Sequence, residues 1–145
     1  MSAIKTRTMI KQNVTFTCRI DGTEETEQRT VTLGYCYATE IAYKDLSGED
    51  ISGIINEAIH AINAQPAQVL DTKRSICLVL AAVMAYYQSI GKDAPIKDTD
   101  LMNEATPVEL GIALGHIINM WAKFYEIPTG EPKEKKTKGG RKKNS

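Results

Sequence analysis

What the chain has little of narrows its chemistry first. Among 145 residues there are only three cysteines and two histidines. Cys18, Cys36 and Cys77 are odd in number and far apart, which is no disulfide framework. No two of Cys18, Cys36, Cys77, His60 and His116 stand at the short spacing of zinc ligands. A cysteine nucleophile, Cys36 or Cys77 with His116 as its base, is disfavoured, because Cys77 lies in an apolar run that opposes thiolate formation and His116 reads as a helix-boundary or interface residue. Glycine-rich phosphate loops, dinucleotide fingerprints and catalytic motifs are missing too, so neither an enzyme centre nor a cofactor is expected. No apolar run reaches the ~20 residues needed to cross a bilayer, and residues 1–11 (MSAIKTRTMIK) lack the apolar core of a secretion signal. The expectation is a cytoplasmic protein with no membrane contact.

Basic charge is scarce everywhere but at one end. Lys plus Arg and Asp plus Glu each number 18, yet residues 132–145 hold seven bases against Glu134 alone. Residues 1–131 therefore keep 11 bases and 17 acids, a net charge of −6. From Thr129 onward Gly, Pro, Lys and Glu dominate and apolar residues vanish, so residues 129–145 are expected to form a disordered, Lys-rich tail. Such a tail could neutralise phosphates, making nucleic acid a partner through the tail alone. It lacks the interleaved aromatics that stack bases. With 42% hydrophobic and 25% charged residues and no internal repeat, the rest, residues 1–128, reads as one globular domain.

The most informative stretch present is residues 76–87 (ICLVLAAVMAYY), which carries no charged side chain over more than three helical turns. A helix apolar all round must be covered on every side. Its Leu, Ala and Met content and its length favour helix over buried strand. Asp71 or Thr72 can cap its start, and Gly91 can take the left-handed conformation that closes its end. Residues 72–90 are thus expected to be a buried central helix that the other segments cover.

Residues 8–20 place Val14, Phe16, Cys18 and Ile20 at alternate positions, Asp21-Gly22 marks a turn, and residues 29–33 (RTVTL) alternate again. This predicts an antiparallel hairpin. Alone it would be marginal in water, so either its apolar face packs on helices or its edge pairs with another chain. Gly34 is expected to permit a sharp turn into a short helix over residues 35–46. There Tyr35, Ala38, Ala42 and Leu46, with Ile41, form the apolar side, while Thr39, Glu40, Lys44 and Asp45 face water. Ser47 is a candidate N-cap for a second amphipathic helix that runs through Ile51, Ile54, Ile55, Ala58, Ile59 and Ile62 to about Ala64 and ends before Pro66. The acids Glu40, Asp45, Glu49, Asp50 and Glu57 along these helices read as solvated faces. A turn over residues 98–104 leads to Thr106-Pro107-Val108-Glu109, a capping box with proline at the first helical position. The helix it opens carries Leu110, Leu114, Ile117, Ile118, Trp121 and Tyr125 on one face, with Phe124 adjoining. Gly111 and Gly115 weaken it by roughly 1 kcal/mol each relative to Ala, which predicts close approach of another helix there.

The fold expected is therefore α+β and mainly α: an N-terminal β-hairpin followed by a bundle of about four helices around the buried central one. Aromatics are few in total but concentrated. Tyr35, Tyr37 and Tyr43, with Tyr86, Tyr87, Trp121, Phe124 and Tyr125, are either core or the anchors of a protein-binding surface. The expected binding residues are Tyr35, Tyr37, Tyr43, Leu114, Trp121, Phe124 and Tyr125, on the apolar faces of residues 35–46 and 110–125.

The hairpin, residues 33–46 (LGYCYATEIAYKDL), the helical body and the ending 120–128 (MWAKFYEIP) before a charged tail together resemble the tail assembly chaperones of long-tailed bacteriophages, in particular small ones encoded in prophages of Bacteroides-like bacteria. The resemblance is one of layout over most of the chain. It implies a non-enzymatic protein of the host-cell cytoplasm that coats the tape measure protein, keeps it soluble while the tail tube polymerises, and then leaves. In several members a translational frameshift appends a second domain that recruits tail tube subunits, and the Lys-rich ending stands where such an extension would attach. The family offers no catalytic or binding residue to carry over. Helix-in-groove contact or strand addition would hold a long apolar client, and self-association along it would add avidity.

Overall fold

A computed structural model describes residues 9–63 and 71–126. The chain runs β1 (Ile10–Arg19), β2 (Thr26–Tyr35), α1 (Tyr37–Ser47), α2 (Ile51–Asn63), α3 (Thr72–Ser89), α4 (Asp98–Asn103) and α5 (Pro107–Phe124). The expected end of the second helix at Ala64 and Pro66, and the tail from Thr129, lie outside the described residues.

α3 is the central helix that its composition demands. It packs against α1, β2 and α5, and no residue of its apolar run, 76–87, is exposed. Asp71 caps its first turn by accepting from the Arg74 amide at 2.9 Å. At the other end Gly91, at φ +67°, donates to the Gln88 carbonyl and Lys92 to the Tyr87 carbonyl, the paired bonds of a Schellman closure.

The hairpin lies on this body by its apolar face. β1 and β2 pair antiparallel with Val14 opposite Val31. Val14, Phe16 and Cys18 alternate inward with Val31, Leu33 and Tyr35, and one buried cluster joins them to residues of all five helices. The outward amides on its edges meet helix side chains. The Thr17 and Arg19 N–H groups of β1 donate to Glu109 at 3.0 Å and Asp100 at 2.9 Å, and Thr32 of β2 donates to the Tyr87 hydroxyl at 3.1 Å. Strand addition at those positions is therefore blocked.

Five local expectations are corrected. Residues 98–104 contain a short helix, α4, which raises the helix count to five. It is held because the buried Asp100 carboxylate accepts from the Lys97 and Arg19 amides, a tertiary bond that no hydrophobic period announces. Ser47 belongs to the last turn of α1, where its hydroxyl donates to the Tyr43 carbonyl. Gly34 stays within β2, and it matters for space: a Cβ there would fall 2.3 Å from the Met9 sulfur and 3.2 Å from the Tyr86 Cβ. Gly111 and Gly115, by contrast, have nothing within 4 Å of an added Cβ among the described residues, so no described helix approaches closely there. The buried stripe of α5 is Ala113, Ile117, Met120 and Phe124, turned by roughly one residue from the expected face.

A candidate protein-binding groove

α1 and the last turn of α5 flank an open groove of about 700 Å³ lined by Glu40, Ile41, Lys44, Asp45, Asp50, Ile51, Ser52, Trp121 and Tyr125. Its apolar character comes from Ile41, Ile51, Trp121 and Tyr125. Ile41 is 63% exposed and Tyr125 41%, and Tyr37, one turn before Ile41 on the same side of α1, is 63% exposed. Large apolar side chains left in water beside one another mark an interaction surface more often than chance.

The local sequence explains why these side chains point outward. Thr39, fully buried, donates its hydroxyl to the Gly34 carbonyl at 2.8 Å and accepts from the Cys36 amide at 3.1 Å. That pair of bonds ties the start of α1 to the end of β2 and turns Thr39 and Tyr43 inward. α1 then ends at Gly48, at φ +82°, whose amide returns to the Lys44 carbonyl. The link to α2 is clipped by Glu49, which accepts from the Tyr43 hydroxyl and from Arg74 at 2.8 Å, while Arg74 also grips Glu57 through two bonds. Glu49 and Glu57 are held below the ordinary carboxylate range, Glu49 by the Tyr43 hydroxyl and then Arg74, Glu57 by Arg74. This clip fixes Asp50 and Ile51 at the groove's second wall.

The remaining wall is an aromatic stack. Phe124, 3% exposed, meets Tyr37 edge-on at 5.1 Å, Tyr35 at 5.6 Å and Tyr125 at 5.0 Å, and Tyr125 in turn contacts Trp121. Glu40 ties the stack to α1: its Oε2 accepts from the hydroxyls of both Tyr35 and Tyr125. Burial, and then the Glu40 bond, push the Tyr35 phenol far up and that of Tyr125 up to about 12. Both therefore stay protonated donors at neutral pH.

The residues expected to bind protein divide into two groups. Tyr37 and Tyr125 are exposed, and Trp121 and Leu114 are half-buried. Tyr35, Tyr43 and Phe124 are interior, with 0%, 0% and 3% exposure, and support the surface from behind. Trp121 and Tyr125 come together in the groove lining, and Tyr37 stands beside it, joined to Tyr125 through Phe124. Ile41 was legible as part of the apolar side of residues 35–46 but was not singled out as an anchor, because periodicity alone does not separate a covered position from an exposed one. Sequence reasoning also gave no role to Glu40, Asp45 and Asp50. Cys18 is buried and burial raises its thiol to about 11, the state of a packing residue rather than a nucleophile. Among the described residues no group of three or more His, Cys, Asp or Glu could hold a metal ion, and no described helix is long and apolar enough to cross a membrane. No protein-family model, curated protein or solved structure matches this chain.

Proposed function

We propose that this protein is a polypeptide-binding assembly factor, and specifically a phage tail assembly chaperone. In this reading it holds the tape measure protein soluble in the host-cell cytoplasm while the tail tube forms, associates with further copies of itself along that client, and hands over to tail tube subunits. It is not an enzyme in this reading. The observation that carries the proposal is the apolar lining of a helix-walled groove, exposed Ile41 and Tyr125 with half-buried Trp121, beside which Tyr37 also stands exposed. Such a lining matches the anchors of an amphipathic helix. The name of the client rests on the resemblance in layout alone.

The test is co-expression of the full chain with a long, helical tape measure segment that precipitates on its own. The expected result is a soluble complex. Ile41→Asp, with far-UV circular dichroism to establish that it folds, should weaken capture about tenfold or more, since burying an aliphatic side chain contributes about 1.5–3 kcal/mol. A client that precipitates equally with and without the chain would overturn the proposal. A second reading, nucleic-acid binding through the ending, draws on the seven bases within residues 132–145. It predicts salt-sensitive DNA retention that vanishes when residues 130–145 are removed. The chaperone reading predicts that client capture survives that deletion.

A further inference from the structure

Resting on the reading of the groove as a polypeptide site, we infer that its occupant is a basic amphipathic helix, one that sets Lys or Arg beside its aliphatic anchors. The lining carries three carboxylates, Glu40, Asp45 and Asp50, against one ammonium, Lys44. That ammonium is already paired with Asp50 at 3.0 Å. Both phenols that bind Glu40 donate to the same oxygen, Oε2, so Oε1 has no protein donor among the described residues. Asp45, exposed on α1, has no ion-pair or hydrogen-bond partner among them either.

Two carboxylate groups thus retain free acceptor capacity beside the apolar lining of Ile41, Ile51, Trp121 and Tyr125. The complementary ligand brings donors of positive charge to exactly those margins of its apolar stripe, where partial desolvation strengthens the attraction. Trp121 and Tyr125 add ring faces that favour a guanidinium or ammonium over a carboxylate. Phosphate-bearing partners are repelled by the same acids, which separates this surface from any nucleic-acid role of the chain's ending. Helical walls on both sides, α1 and α5, suit a helix laid between them rather than an added strand.

Two fluorescein-labelled helical peptides with the same Leu and Ile stripe, one flanked by Lys and one by Glu, test this by anisotropy with the full chain at low salt. The Lys peptide should bind about tenfold or more tightly than the Glu peptide, with a preference that shrinks as salt rises. Asp45→Lys should erase most of the preference, whereas Ile41→Ser should weaken both peptides alike. Equal binding of the two peptides, or a preference untouched by Asp45→Lys, overturns the inference and leaves polypeptide binding standing. Failure of both peptides to bind the wild type and the full-length Lys135→Glu, Lys136→Glu, Lys138→Glu variant alike overturns the groove as a polypeptide site altogether. The chain's own Lys-rich ending is the rival occupant. Should the Lys peptide bind only to a full-length Lys135→Glu, Lys136→Glu, Lys138→Glu variant, the groove serves that ending, and a separate basic partner is excluded.

Discussion

Glu109 offers the sharpest test of how this fold is held, because one carboxylate closes two structures at once. It completes the capping box of α5, accepting from the Thr106 amide at 3.0 Å while its own amide donates to the Thr106 hydroxyl at 3.1 Å. It also reaches across to β1, accepting from the Thr17 amide at 3.0 Å and the Thr17 hydroxyl at 2.9 Å. Removing the carboxylate leaves the Glu109 amide on the Thr106 hydroxyl but takes the acceptor from the Thr106 amide, at a cost of about 1 kcal/mol. Leaving the part-buried Thr17 amide without its acceptor adds about 1–3 kcal/mol. Glu109→Ala should therefore destabilise by about 3 kcal/mol, Thr106→Ala, which removes only the cap, by about 1 kcal/mol, and Thr17→Val by about 0.5–1.5 kcal/mol. Urea unfolding followed by Trp121 fluorescence reads this directly. With m of roughly 1.5 kcal/mol/M, the Glu109→Ala midpoint falls by roughly 2 M at unchanged m. Hydrogen exchange at the Thr17 amide should accelerate in Glu109→Ala and not in Thr106→Ala. If Glu109→Ala is no worse than Thr106→Ala, the carboxylate is a cap alone and the clamp between hairpin and helix does not exist.

Two further outcomes follow from the same structure. Gly111→Ala and Gly115→Ala meet nothing within 4 Å among the described residues, so each should stabilise by roughly 0.5–1 kcal/mol through helix propensity. Either one lowering Tm would refute the open surroundings on which this expectation rests. Glu49, Glu57 and Glu109 are all held below the ordinary carboxylate range, Glu109 because the Thr17 and Thr106 amides outweigh a burial effect that acts the other way. Carboxylates with depressed folded pKa values contribute stability that is full above the unfolded value of about 4.3 and is lost as pH falls through the folded value. Tm should accordingly hold from pH 7 to about 5 and drop steeply below about 4.3. The drop should be shallower in Arg74→Met, and an acid limb as steep in Arg74→Met as in the wild type would remove Glu49 and Glu57 from the explanation.

Much of the fold was legible because it rests on composition and local chemistry. An uncharged twelve-residue run can only be interior, alternation at Val14, Phe16 and Cys18 reads as one covered face, and Thr106-Pro107-Val108-Glu109 announces its own helix start. These signals sit within a few residues of the structure they specify. The errors arose where a distant polar partner decides the outcome. α4 has one buried apolar residue, Leu101, and owes its place to Asp100 holding the Arg19 amide from the far end of β1. Gly34 was read as a conformational hinge. The crowding by Met9 and Tyr86 that its position requires involves neighbours brought in by folding.

The groove was only half legible, and the reason can be traced to one hydroxyl. Judged by apolar content, residues 35–46 should turn Ile41 and Leu46 inward and Thr39 outward. Thr39 instead goes inward because its side chain satisfies both the Gly34 carbonyl and the Cys36 amide, groups that would otherwise lie unpaired at the strand-to-helix corner. Once Thr39 is fixed, helical geometry leaves little choice. Tyr43, one turn on, follows it inside, and Ile41, about 200° around the helix from Thr39, is carried to the opposite side. Leaving Ile41 in water is unfavourable by about 1.5–3 kcal/mol relative to burying it, a penalty that two satisfied backbone groups and a fully buried tyrosine ring can outweigh. The exposed aliphatic wall of the groove is thus a by-product of closing that corner. A rotation of α1 that covered Ile41 would have to break the Thr39 bonds, so the surface persists whether or not a partner occupies it.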